Sequence, residues 1–379
     1  MVRTLIDLGA MPLMNNLCST EAESLAAEVF PLRATIDDSL LVKLDLAVPV
    51  DKMFSRYLYH SGINEPYVQH CSDLWRALAR LNPSHVIDIG GNDGTLLATF
   101  QSGASRRLQL TNVDASASFI DENRKKGIDY VNAYWGTVDV EPADIIVSTN
   151  VFQHNPDLKT FLRGIKTALR PQGLWVLEFP YFLRTAETLQ FDQIYHEHMY
   201  YWLLTPLVAI LAEHGLVMTS VSEHSIHGGT MRVQIRHAGP NNVPVSVADY
   251  LAREAAFDFA GWSERVAEKI ASDARLVASL QGEIVGFGAA AKGGIYLHAT
   301  GCFKRLSRVV DDTPQKQGRY VPRTALKVVG RNYLQEAQPA YVLVLAHNFF
   351  DHIARSLRPW YRGNIVTMLP AIRMDQLAV

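Results

Sequence analysis

The densest group of proton-transfer side chains in the sequence is Phe191-Asp192-Gln193-Ile194-Tyr195-His196-Glu197-His198. Imidazole titrates near neutral pH, so such a cluster suits general acid–base work. A His–Glu–His triplet also raises a metal reading. In the H-E-x-x-H pattern the two histidines stand one helical turn apart, on one face. Here a single residue separates His196 from His198, so they diverge on a helix and align only on a strand, with no third ligand group nearby. Decoration of a surface or core is the plain alternative to chemistry.

The second signal is Val86-Ile87-Asp88-Ile89-Gly90-Gly91-Asn92-Asp93-Gly94. A strand ends there in a glycine-rich turn that opens a helix, and Gly90 and Gly94 let the backbone pass close to a ligand. The spacing departs from the dinucleotide G-x-G-x-x-G pattern, and Asp88 precedes the glycines. A carboxylate at that point suits a cationic, amino-acid-bearing cofactor better than a pyrophosphate. Asp114 ends the next strand, where an acid takes both ribose hydroxyls. These features predict a class I methyltransferase site for S-adenosylmethionine, with Asp88, Gly90, Asn92, Asp93, Gly94 and Asp114 as contacts. An ordinary strand-to-helix turn is the alternative. Asp144 to His154 resembles the fourth strand and following loop of such enzymes. Asn150 and His154 are therefore candidates for the cofactor or the substrate mouth, or else loop-capping residues.

The elements that must position these groups follow from periodicity. Tyr67 to Leu81 carries apolar residues at helical spacing. Strands at 85–89, 108–113, 145–148 and 175–179 then alternate with helices at 95–100, 117–126 and 158–169. This alternation predicts a parallel sheet with helices on both faces, a Rossmann-like α/β fold. Residues 245–280 read as one long helix, with Leu251, Ala255, Phe259 and Trp262 on one face. Strands at 284–288, 308–310 and 341–345 predict a smaller α/β unit. The expected division is a small N-terminal domain over 1–65, a cofactor domain over 66–240 and a C-terminal substrate domain over 241–379. No internal repeat or low-complexity tract is visible.

Composition narrows the function classes. Of 379 residues, 48% are apolar and 20% charged, with a formal net charge of -2. That balance predicts a globular protein with a sizeable core and no global field toward nucleic acid or an anionic membrane. Cys18, Cys71 and Cys302 form neither a disulfide framework nor a metal-type pair. Residues 1–13 do not read as a secretory signal, and no apolar run is long enough to span a bilayer. A cytoplasmic enzyme of small molecules is expected.

The chain resembles the sugar C-methyltransferase family of bacterial deoxysugar pathways, secondary-metabolism enzymes that act at C3 of nucleotide-linked 4-keto-sugars. The resemblance runs nearly end to end. It is carried by Asp7-Leu8-Gly9 with Pro12-Leu13, Tyr57-Leu58-Tyr59-His60-Ser61, Ile89–Gly94, Asn150–His154 and Gln190–His198. His227-Gly228-Gly229, Gly286–Gly293 and Asp311–Tyr320 extend it. It implies His198 as general base, assisted by Tyr195 and Glu197, with Tyr57, Tyr59 and His196 at the sugar pocket. Lys292, Lys316 and Arg319 are then placed to meet a diphosphate, or remain solvated charges. The family's N-terminal zinc cysteines are missing: Ile36 and Ser39 stand at one expected pair, so no metal is expected and Leu32, Ile36, Leu40 and Val42 must pack instead. Gly294, Arg323 and Lys327 also depart from the family pattern. An O- or N-methyltransferase of a non-sugar metabolite, and a non-catalytic binding protein, remain as alternatives.

Overall fold

The computed structural model describes residues 1–49, 52–53 and 65–375. Three strands open the chain: β1 (Arg3–Pro12), β2 (Val29–Ile36) and β3 (Val42–Leu44). Next come β4 (His85–Ile89), β5 (Gln109–Asp114), β6 (Asp129–Asn132), β7 (Ala143–Thr149) and β8 (Leu169–Pro180). They are followed by β9 (Tyr200–Tyr201), β10 (Leu216–His224) and β11 (Thr230–His237). The last group is β12 (Ile284–Phe287), β13 (Leu306–Val310), β14 (Val328–Val329), β15 (Tyr341–Val344), β16 (Asn364–Thr367) and β17 (Arg373–Asp375).

The central sheet has the order β10-β11-β8-β7-β4-β5-β6. β4 pairs in parallel with both β5 and β7, and β11 is antiparallel to β8 and β10. Every residue of β4 is buried, as expected for a strand covered on both faces. Chain connections leave β4 in opposite directions, so a crevice opens at the carboxyl ends of β4 and β7. In open α/β sheets ligands bind at that switch point. This is the class I methyltransferase fold, and the alternation in the sequence anticipated it.

The C-terminal sheet, β14-β13-β12-β15-β16-β17, repeats the plan. Its switch point lies at β12, which pairs in parallel with β13 and β15. The repetition is one of architecture, carried without the sequence similarity that would have shown it.

The N-terminal sheet runs β1-β2-β3-β9. Its last strand comes from beyond the His–Glu–His cluster, with Val42 opposite Tyr201. Leu32, Ile36 and Val42 are buried as expected, while Leu40 sits half-buried at a left-handed turn, φ 62°. A short helix, Glu21–Ala26, was not foreseen; Thr20 caps it. Two unusual residues have packing roles here. A side chain at Gly294 would meet Met14 Sδ at 2.7 Å. Arg323 donates from Nε to the Ala27 carbonyl at 2.7 Å, closing that helix.

The long helix expected over 245–280 is two, Ala248–Ala256 and Trp262–Ser279. Ala255, expected on the buried face, is exposed, and its neighbour Glu254 is buried instead. The Glu254 carboxylate accepts hydrogen bonds from Tyr181 Oη at 2.7 Å, Leu204 N at 2.7 Å and Thr205 N at 2.8 Å. It thus caps another helix, Leu204–Glu213, whose first N–H groups have no internal partners. The chain restarts where Asp258 accepts the Gly261 N–H at 2.9 Å.

Candidate active site

The crevice at the carboxyl ends of β4 and β7 opens into a cavity of about 590 Å³. This lies within the range that takes small molecules and cofactors. All three sheets contribute walls: Asn15 near the N-terminus, the loops after β4, β5 and β7, and the loops after β12 and β15.

On the cofactor side the turn after β4 is set by three contacts. Gly90 takes φ 66° and donates its N–H to Val113 O at 2.8 Å. Asn92 N donates to Asp114 Oδ2 at 3.0 Å, and Ser116 N to Asp114 Oδ1 at 2.8 Å. Glycine is required on steric grounds. A Cβ at Gly90 would stand 2.5 Å from Val151 Cγ2, and one at Gly91 would stand 2.6 Å from Asp88 Oδ2. Gly90, Asn92 and Asp114 line the cavity together with Asn150, whose buried Oδ1 has no hydrogen-bond partner among the described residues. A bare turn, a strand-end acid and an orphaned amide oxygen fit the ribose and amino-acid ends of S-adenosylmethionine.

Three residues of the expected set stand back from the cavity. Asp88 is buried beneath the turn, where burial and then the charges of Asp114, Asp93 and Glu178 raise its pKa well above the carboxylate range. Its carboxyl lies below the glycines and off the cavity wall. Asp93 turns inward and accepts the Thr95 N–H at 3.2 Å. Gly94, φ 74°, precedes the helix Thr95–Gly103 and packs on Asn123.

The proton-transfer segment leaves a short 3₁₀ turn at Phe191–Gln193 and lies in a loop, neither helix nor strand. The two histidines therefore part company. His198 lines the cavity, whereas His196 turns toward the N-terminal sheet, its ring 6.0 Å from that of Phe30 and off the cavity wall. Tyr195 Oη lies 2.6 Å from His198 Nε2. The His198 ring also hydrogen-bonds the backbone of Gln193. With an N–H engaged by that carbonyl, the nitrogen facing Tyr195 is the bare acceptor. Burial, then the charges of His154 and Lys292, lower the His198 pKa well below the usual range. The surroundings thus favour the neutral form of the His198 ring.

Glu197 does not orient His198. Its carboxyl accepts from Asn15 Nδ2 at 2.7 Å, and burial raises its pKa to about 7. Its carbonyl meets His154 Nδ1 at 2.6 Å, and burial lowers the His154 pKa to about 4. The His154 and His198 rings meet edge to face at 4.8 Å.

Lys292 and Lys316 line the wall that the C-terminal unit supplies; Arg319 does not, and points to the Gln315 and Leu17 carbonyls. Lys316 Nζ is engaged by Ala289 O at 2.9 Å and Asp311 Oδ2 at 3.2 Å. Tyr57 and Tyr59 lie outside the described residues. Asn15, Gln153, His347 and Asn348 line the cavity without having been singled out. For His347 and Asn348 a signal existed: they follow β15, which occupies the same place in its sheet as β7 does before Asn150.

Comparisons with known proteins bear on the family. Residues 65–221 match the model of a methyltransferase domain, and residues 225–370 that of a C-methyltransferase C-terminal domain. The C-methyltransferase NovU of Streptomyces niveus is 26% identical over 394 residues, covering 97% of this chain and 93% of that protein. The non-reducing polyketide synthase ausA of Penicillium brasilianum is 32% identical over 122 residues, 29% of this chain and 5% of that enzyme. The solved 1,6-didemethyltoxoflavin-N1-methyltransferase of Burkholderia thailandensis is 16% identical and covers 54% of this chain and 99% of that one, with a TM-score of 0.40. No described helix is long and apolar enough to cross a membrane. The chain is an S-adenosylmethionine-dependent methyltransferase, built from a methyltransferase domain and a C-methyltransferase C-terminal domain.

Proposed function

We propose that the protein methylates a carbon next to a carbonyl, on a nucleotide-linked keto-deoxysugar or a related small molecule, in a cytoplasmic deoxysugar pathway. One observation carries the reading: the Tyr195–His198 pair, 2.6 Å apart, faces the cavity that Asp114 and the Gly90 turn also line. A carbon acceptor must lose a proton before or as the methyl group arrives, whereas oxygen and nitrogen acceptors often need only positioning. Burial keeps His198 unprotonated, and the Tyr195 hydroxyl supplies a short path for the proton to Nε2. S-adenosylmethionine supplies an electrophilic methyl group when bound. The chain's own contribution is to hold the acceptor carbon and the base in line. The match of residues 225–370 and the likeness to NovU support carbon as the acceptor atom.

The nucleotide reading rests on the wall that the C-terminal unit supplies. There the helix Ala291–Thr300 presents its N-terminus, with Lys316 close by. Backbone N–H groups at a helix start favour an anionic group such as a diphosphate. In this division residues 1–65 support the catalytic loop, 66–240 hold the cofactor and 241–379 hold the acceptor.

The test is the bond formed. Enzyme is incubated with cofactor carrying a ¹³C methyl group and with a panel of thymidine diphosphate-linked keto-deoxysugars. The reading predicts a product whose labelled methyl is bonded to the carbon next to the carbonyl. A methyl resonance typical of attachment to oxygen or nitrogen would overturn it.

A further inference from the structure

The C-terminal unit sends a buried cation to the reacting end of the cavity. Lys292 lies in the first turn of the helix Ala291–Thr300 and lines the cavity wall. That helix is seated on the catalytic segment itself, with Tyr296 stacked on Phe191 at 5.9 Å between ring centroids. Beside it Asp192 is fully buried, its Oδ2 3.2 Å from His347 Nδ1. His347 Nε2 in turn lies 3.1 Å from Gln190 Oε1. Gln190, Asp192, Tyr195 and His198 thus share one short segment, and that segment meets Lys292 and His347 of the C-terminal unit.

Charge distinguishes Lys292 from Lys316. The Lys292 ammonium acts electrostatically on His198, Asp192 and His347. Lys316 is paired with Asp311 and holds the Ala289 carbonyl. Burial lowers the Lys292 pKa to about 8, and the Asp192 carboxylate opposes that fall. The ammonium form therefore still prevails at neutral pH.

We propose that Lys292 is a catalytic residue whose ammonium meets the carbonyl oxygen of the acceptor and holds the negative charge that develops there. The inference rests on the carbon-methylation reading above. In the step, the electron pair of the broken C–H bond moves into a new C=C bond as the carbonyl π pair moves onto oxygen. The proton passes through Tyr195 to His198 Nε2. Lys292 donates a hydrogen bond to the anionic oxygen. When the methyl group arrives, the C=C pair forms the new C–C bond, the C–S bond breaks onto sulfur, and the carbonyl re-forms. A fixed donor at a developing oxyanion, in a site away from water, is typically worth ~10²–10³-fold in turnover.

The experiment uses the full chain with S-adenosylhomocysteine and a thymidine diphosphate-linked 4-keto-6-deoxyhexose in heavy water, following deuterium at the carbon next to the carbonyl. Lys292→Met should slow exchange by ~10²–10³-fold, and Lys292→Arg should restore part of it. Affinity for S-adenosylhomocysteine and for the sugar nucleotide should stay near wild type. In Lys292→Met the His198 ring, followed by ¹³C resonance, should titrate at higher pH than in the wild type. Exchange at the wild-type rate in Lys292→Met, or a loss explained wholly by weaker sugar-nucleotide binding, would overturn the proposal. The second result would assign Lys292 to the phosphates. If the wild type exchanges no ketone of the panel, the carbon-acid reading fails and the role of Lys292 falls with it.

Discussion

Two places in the molecule solve the same backbone problem and end differently. After β4, Gly90 N donates to Val113 O at 2.8 Å and Asn92 N to Asp114 Oδ2 at 3.0 Å. After β12, Gly288 N donates to Val310 O at 2.7 Å and Ala289 N to Asp311 Oδ2 at 2.8 Å. Each acid also accepts the N–H two residues on, from Ser116 at 2.8 Å and from Thr313 at 2.9 Å. The glycines, with φ 66° and 104°, make both turns possible. The difference lies in what faces the acid. Asp114 borders the cavity and has no cationic partner among the described residues. Asp311 is covered by Lys316, which also holds the Ala289 carbonyl. A shared plan therefore does not mean a shared ligand. The first turn leaves its acid at the cavity wall, while the second ties its acid into its own fold.

The predictions test that contrast. The largest effect on stability concerns Glu197, a cavity acid that belongs to neither turn and takes a hydrogen bond from Asn15. Burial raises its pKa from 4.5 to about 7. Between those values the folded protein keeps a proton that the unfolded chain has lost, so stability falls as pH rises through the window. At about 1.4 kcal/mol per unit the fall approaches about 3 kcal/mol. Glu197→Gln should remove it, as urea unfolding of both proteins from pH 4.5 to 7.5 would show. Next, Asp114→Ala should weaken S-adenosylmethionine by about 1.5–3 kcal/mol in calorimetry. Asp311→Ala should leave that affinity unchanged and lower unfolding stability by about 1–2 kcal/mol through its lost backbone hydrogen bonds. Equal losses of affinity in the two variants would erase the distinction. Smallest is Lys316→Met: its pair with Asp311 is partly exposed, so less than about 1 kcal/mol of stability should go.

Much of this was legible in the sequence because it is local. Strand–helix alternation, the glycine turn and the strand-end acid announce the central sheet and its crevice. Tyr195 and His198 could be singled out because proton-transfer side chains crowd one segment. What failed depended on direction or distance. Asp88 and Asp114 both lie at strand ends, but only the structure shows one carboxyl beneath the turn and the other at its mouth. His196 and His198 separate because their loop has no regular period. Glu254 is buried because it caps a helix that begins at Leu204, a contact no helical periodicity contains. Asn15 and His347 reach the cavity from sequence positions far removed from the methyltransferase strands.

The account stands or falls on whether His198 takes a proton from carbon. Wild-type enzyme with S-adenosylhomocysteine and the keto-sugar nucleotide in heavy water should place deuterium next to the carbonyl. His198→Ala should do so ~10²–10⁴-fold more slowly, with cofactor affinity little changed. Unaltered exchange and methylation in His198→Ala would contradict the account and return the acceptor to oxygen or nitrogen.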